Sequence, residues 1–167
     1  TTASSVRVWN TTARKIGLQV PQRSVCCYPD EAGFITALAD VAADAIAKAR
    51  AAVPDQAPAI IFSAHGLPQK IVDAGDPYVR QVEATVAAAA QAIGLVAGSY
   101  QIAYQSRVGP LKWVGPATDE TIASTAAASR TSHTAVSTCA PLWNSTPAWF
   151  TTPVGVLVIR RLPPPRR

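Results

Sequence analysis

Ala59-Ile60-Ile61-Phe62-Ser63-Ala64-His65-Gly66-Leu67-Pro68 is the stretch on which the fold turns. Ala59–Phe62 is apolar without a break, the pattern of a strand buried on both faces rather than one that alternates. Ser63–Pro68 reads as a loop, with a sharp turn allowed at Gly66 and a stiff exit at Pro68. In open α/β sheets, ligands bind beyond the carboxyl ends of the strands. A histidine directly after a buried strand therefore stands where chemistry is expected.

Helical patterns flank this strand on both sides. Upstream, Pro29-Asp30-Glu31 opens a long helix with Asp30 as its expected cap and acids at the positive dipole end. Phe34, Leu38, Val41, Ala45 and Ala49 form its apolar face, and Val53-Pro54 closes it. Earlier still, Ser4/Ser5 can cap a helix with the stripe Val6, Trp9, Ala13 and Ile16, stopped at Gly17. Pro21 then breaks the chain, and Val25–Tyr28 reads as a short β-type run. Downstream, Asp76-Pro77 starts a helix whose core face is Val79, Val82, Val86, Ala90 and Ile93, with Gly94 as its stop. Tyr100–Tyr104 reads as a third strand. The order α-β-α-β-α-β predicts an α/β fold, a parallel sheet flanked by helices on both faces.

The chain has 167 residues, 49% of them apolar, enough for one ordinary domain and too many for global disorder. No apolar run approaches the length of a membrane span. There is no Met and the chain opens at Thr1, so we expect a processed chain or a piece of a longer one; the polar start does not resemble a signal peptide. Net charge is +5, which invites a nucleic-acid partner until the charge is located. Residues 1–122 are neutral, whereas 123–167 carry Arg130, Arg160, Arg161, Arg166 and Arg167 and no acid. The second segment is also rich in Pro, Ser and Thr. We therefore divide the chain into an α/β body, 1–122, and an atypical basic tail, 123–167, expected to be disordered or out-of-frame sequence. No nucleic-acid partner is expected.

Cys26, Cys27 and Cys139 are an odd set. The adjacent pair is a poor disulfide and suits small buried hydrophobes, and no Cys-x-x-Cys spacing supports zinc or an iron–sulfur cluster. This usage fits a reducing, cytoplasmic compartment. His65 is the only histidine of the body. By residue type it is either a structural group bonding a loop backbone or a titrating group able to bind Fe²⁺ or Zn²⁺ or to act as a general base. Gln105-Ser106-Arg107-Val108-Gly109-Pro110 follows the third strand and should reach the same rim. There Ser106 and Arg107 could hold an anion, or Arg107 could be a plain surface charge. Trp113 reads equally as a flat wall for an aromatic ligand or as a core aromatic. Tyr28, ending the first strand, is either pocket wall or core cap.

Several motifs in order resemble the ferrochelatase family. They are Thr1-Thr2-Ala3-Ser4-Ser5, Cys26-Cys27-Tyr28-Pro29, Phe62-Ser63-Ala64-His65-Gly66-Leu67-Pro68, Gly75-Asp76-Pro77-Tyr78, Tyr104–Pro110 with Trp113, and Pro116-Ala117-Thr118-Asp119-Glu120. The resemblance covers residues 1 to about 122. It implies a chelatase-like fold of two lobes, of which this chain would supply one half. It implies insertion of Fe²⁺ into a porphyrin (protoporphyrin IX, or coproporphyrin in some lineages) to make haem. Porphyrin and ferrous iron are then substrates, with no prosthetic group. The resemblance also leaves room for peripheral membrane association of the intact protein.

His65 matches the family's active-site histidine, as metal ligand, acceptor of pyrrole protons, or both. Tyr28, Pro68 and Trp113 match positions that line the macrocycle. Two departures follow. The N-terminal half is missing, and the family's second, Glu-containing catalytic segment is replaced by Ala123–Arg167, where His133 has no matching context. The chain alone is therefore expected to be inactive. The alternatives are a non-catalytic fragment that binds porphyrin or metal, or a related cobalt or nickel chelatase.

Overall fold

The computed structural model describes residues 2–25, 27–55, 57–128, 134–138 and 154–161. Its elements in chain order are α1 (Thr2–Lys15), α2 (Ala32–Ala52), β1 (Ala59–His65), α3 (Gln69–Asp73), α4 (Tyr78–Ala92), β2 (Tyr100–Gln105), α5 (Thr118–Ala128), β3 (Thr134–Thr138) and β4 (Val154–Arg161). The strands form one sheet in the order β2-β1-β4-β3. β1 and β2 are parallel, in a register that sets Phe62 opposite Ile102 and His65 opposite Gln105. The parallel pair and its helices agree with the expected α/β class.

β1 sits between two neighbours, which is why its interior reads as continuous apolar sequence. Ile60, Phe62 and Ala64 face one core, shared with Leu38, Ala42 and Ile46 of α2 and Val82, Val86 and Ala89 of α4. Phe62 is fully buried and meets Tyr100 edge-on, with ring centroids 5.5 Å apart. Ile61 and Ala103 face the opposite side, where Ile122 of α5 packs. Helices thus lie on both faces, as the element order implied.

Several boundaries differ from the sequence reading. β1 runs three residues past Phe62, because Ser63 and Ala64 are small, buried and paired on both edges. Ser63 escapes the cost of burying a hydroxyl by hydrogen bonding to Thr118 Oγ1 at 2.9 Å. The cap of α2 is Glu31, not Asp30: the Glu31 carboxylate accepts the Phe34 N–H at 2.7 Å. The buried stripe of α2 is Ile35, Leu38, Ala39, Ala42, Ala45, Ile46 and Ala49, so Phe34 and Val41 flank the core rather than fill it. Asp76 does what was expected, accepting the Tyr78 N–H at 2.9 Å, and Gly94 stops α4 with a positive φ of 72°.

Val25, Cys27 and Tyr28 do not lie in a strand. Val25, Cys27 and Tyr28 are exposed, and Cys27 is no buried hydrophobe; Cys26 and Cys139 lie outside the described residues. Outside a sheet, a short β-prone run gains nothing from extension. α1 begins at Thr2, so Ser4 and Ser5 lie within it rather than capping it, and it is closed by Gly17, whose φ is +66°, with the Leu18 N–H reaching back to Ala13 O. None of residues 4–15 is buried.

In the tail, α5 runs through the composition break at Ile122 without interruption. Thr134–Thr138 and Val154–Arg161 are strands where no regular structure was expected, with β4 antiparallel to β1 and β3 antiparallel to β4. His133 lies outside the described residues, as does the remainder of the tail between and beyond those strands. Among the described residues, no helix is long and apolar enough to cross a membrane.

Candidate functional site

The parallel pairing of β1 and β2 brings their carboxyl ends to one rim. His65 is the last residue of β1 and is exposed, whereas the five residues before it are buried. By strand alternation it shares the face of Ile61 and Ser63, the face covered by α5. His65 Nδ1 lies 2.8 Å from Gly66 O. A carbonyl oxygen can only accept, so in the neutral ring Nδ1 carries the proton and Nε2 keeps its lone pair. That is the state required of a metal ligand or a proton acceptor.

Gly66 is required by what surrounds it. Its N–H donates to Gln105 O at 2.7 Å. A Cβ at this position would stand 2.8 Å from that same backbone oxygen and 3.3 Å from Cε3 of Trp113. The tight turn foreseen at Gly66 is thus a close approach between the ends of two strands, with the Trp113 ring alongside. Trp113 is held in turn by two devices. Its indole N–H donates to Val108 O at 3.2 Å. Its backbone bridges to Pro68, through Val114 N–H to Leu67 O at 3.0 Å and Gln69 N–H to Lys112 O at 2.9 Å. Pro68 and Trp113 are therefore neighbours, 45 positions apart in the chain. Beside Pro68, a shallow apolar depression of 460 Å³ opens between Ile71 and Leu111.

Arg107 also stands beside Gly66, with Cγ placed 3.8 Å from where a Cβ would be. Ser106 before it adopts a positive φ of 64°, a left-handed turn that is uncommon outside glycine and asparagine. Arg107 Nη1 lies 3.6 Å from Glu120 Oε1, and both side chains are substantially exposed. Such a pair is weak and exchangeable, so the guanidinium stays open to another carboxylate.

His65, Pro68, Arg107 and Trp113 are brought to one rim, with Ser106 in the turn that leads to it. Tyr28 is placed elsewhere. It meets Phe34 edge-on at 5.6 Å, and the neighbouring Pro29 O accepts from Thr85 of α4 at 2.6 Å. It belongs to the helical layer rather than to the strand end predicted for it. Among the described residues, no group of three or more His, Cys, Asp or Glu is placed to hold a metal ion.

Two residues escaped the sequence reading. Glu120 pairs with Arg107, and nothing in their spacing announces it. Tyr78, taken from sequence as local architecture at a helix start, donates its hydroxyl to His65 O at 2.9 Å. Burial, with a smaller push from Tyr104, raises the Tyr78 phenol to about 12 against the opposing effect of that hydrogen bond. Tyr104 is raised as well, by burial and then by Glu83. The Tyr78 phenol accordingly remains a donor at neutral pH.

Residues 1–140 match the protein-family model described as Ferrochelatase. Among curated proteins, the chain is similar to the ferrochelatases of Phenylobacterium zucineum (47% identical), Caulobacter vibrioides (45%) and Rickettsia bellii (42%), each over 122 residues. Each match covers 73% of this chain, and 34%, 33% and 32% of the respective relative. The chain thus spans about a third of the length of the curated relatives it matches.

Proposed function

The chain belongs to the ferrochelatase family, and on that premise we propose that it forms one wall of a site that inserts Fe²⁺ into a porphyrin, protoporphyrin IX, to make haem. The observation that carries this reading is an exposed histidine at the end of a buried strand, its Nδ1 proton committed to Gly66 O and its Nε2 without a hydrogen bond among the described residues. Metalation must strip water from a divalent ion and remove two N–H protons from the macrocycle. A neutral imidazole nitrogen serves either need, as a ligand that hands the ion on or as the base that accepts a proton. Trp113 and Pro68 supply a flat apolar wall beside it. Arg107, with Ser106, offers a charge-assisted contact to a porphyrin carboxylate, for which it would give up its weak pairing with Glu120. Tyr28 remains a proposed contact with the macrocycle, from the helical layer. Iron and porphyrin are the substrates of this reading. Cytoplasmic location, with no prosthetic group and no nucleic-acid partner, belongs to the same proposal, as does peripheral membrane association of the intact protein.

The span of about a third of its relatives favours an incomplete unit. By this reading the chain alone binds porphyrin or metal at most and does not turn over. A chimera tests the reading directly: residues 1–122 replace the matching segment of the Caulobacter relative, and zinc or iron insertion is measured. Activity is expected, with a loss of about 100- to 10,000-fold on His65→Ala. A folded chimera that is inactive, or one indifferent to His65→Ala, sinks the proposal. Turnover by the unaided chain would overturn its inactivity. Residues 123–167 we read as sequence foreign to this site. Resequencing across Ile122 checks that, since a Glu-containing segment recovered in another frame supports it and none in any frame refutes it.

A further inference from the structure

We propose that Tyr78 is a positioning residue for His65, its hydroxyl pinning the His65–Gly66 peptide so that the imidazole presents Nε2 from the rim. This rests on the reading of His65 as the working group of the site. The peptide between His65 and Gly66 has two polar ends, and both are held. Its carbonyl accepts from Tyr78 Oη at 2.9 Å. Its N–H donates to Gln105 O at 2.7 Å. The two partners come from different elements, the first turn of α4 and the end of β2, so the peptide plane is fixed from two directions. The imidazole is then tied to the next carbonyl along, Gly66 O, at 2.8 Å. That last bond selects the tautomer, and it holds only while the Gly66 carbonyl keeps its direction relative to His65.

Tyr78 is itself well anchored. Its backbone N–H is taken by Asp76 Oδ1 at 2.9 Å, and its ring packs against the core of α2, β1 and α4. Gln105 acts through main chain that the sheet already fixes. Tyr78 is the side-chain half of the clamp, and the half a substitution can remove. Without it the strand end loses one of its two restraints, and the ring gains freedom to leave Gly66 O.

The test uses the full chain carrying His133→Gln, which leaves one imidazole to observe. Nitrogen NMR of that ring at a fixed neutral pH reports the tautomer without porphyrin or iron. With Tyr78 present, two well-separated ring resonances are expected, one protonated and one bare. Tyr78→Phe keeps the ring volume and removes the hydroxyl. The two resonances should then draw together towards the average of an exchanging pair, while Tyr100→Phe, which removes a phenol elsewhere, leaves them apart. Unchanged ring resonances in folded Tyr78→Phe protein overturn the proposal. If Tyr78→Phe does not fold, 3-fluorotyrosine at position 78 keeps the bond and alters donor strength. The His65 ring and Gly66 amide should both shift, and shifts in neither overturn the proposal. An inactive chimera would sink the chelatase reading and leave this result untouched, so the two failures are distinguishable.

Discussion

α1 and α2 carry the same kind of apolar stripe, and among the described residues only the stripe of α2 is buried against a facing layer. In α2, seven residues are buried, and Ala42 and Ala49 join the core cluster shared with β1 and α4. In α1, Trp9 remains 47% exposed and Val8 65% exposed. Both helices end where local sequence says they should, while α2 is capped by Glu31 rather than Asp30 and α1 begins ahead of Ser4. The difference is the partner surface, which a helix cannot supply for itself. Amphipathic spacing therefore predicts a helix, and only a facing layer turns its stripe into stability.

The largest effect should come from the packed side. Phe62→Ala removes a fully buried ring from between α2, α4 and Tyr100. It should cost about 3–5 kcal/mol in urea unfolding, and a loss under 1 kcal/mol would break the contrast between the two helices. Gly66→Ala comes next. The new Cβ has no room beside Gln105 O, and the strain should cost about 1–3 kcal/mol and displace His65 and Trp113. Trp113 fluorescence in the same titrations reads that displacement.

Smaller still is the acid sensitivity of α2. The Phe34 and Gly33 N–H groups hold the Glu31 carboxyl below its ordinary 4.5. The stability it contributes is thus present at neutral pH and is lost as pH falls through that lowered value. Glu31→Gln should flatten the acid limb of the unfolding midpoint against pH, whereas an unchanged limb removes Glu31 as its source. At the bottom of the scale, Trp9→Ala should move the main unfolding transition by no more than about 0.5 kcal/mol. A large shift there would mean that α1 is coupled to the core after all.

How much of the site could be read in advance follows the same division. Motifs single out His65, Pro68, Arg107 and Trp113; Trp113 and Arg107 stand beside Gly66, next to His65, and Pro68 pairs with Trp113. The strand expected to carry Tyr28 does not form: Val25, Cys27 and Tyr28 lie outside any strand, and Tyr28 stands in the helical layer against Phe34. Glu120 and Tyr78 were missed because their partners lie 13 positions away in each case, a separation without periodic meaning. The tail was misjudged in part for a related reason. Composition marks the break near Ile122, yet α5 runs across it, and β4 lies along the open edge of β1. Edge backbone accepts any strand that can complete its hydrogen bonds.

What the sequence determined by itself is local or patterned. The helix stops at Gly17 and Gly94, the cap at Asp76, the buried character of β1 and the motif order of the family all rest on residues close in the chain. What only the tertiary structure decided is pairwise and distant: how far β1 runs, which face Ser63 and His65 take, and that one tyrosine holds the peptide behind the histidine. Propensity and spacing are properties of a segment. A hydrogen bond from Tyr78 to His65 exists only after two elements have been packed, because packing alone sets the distance between them.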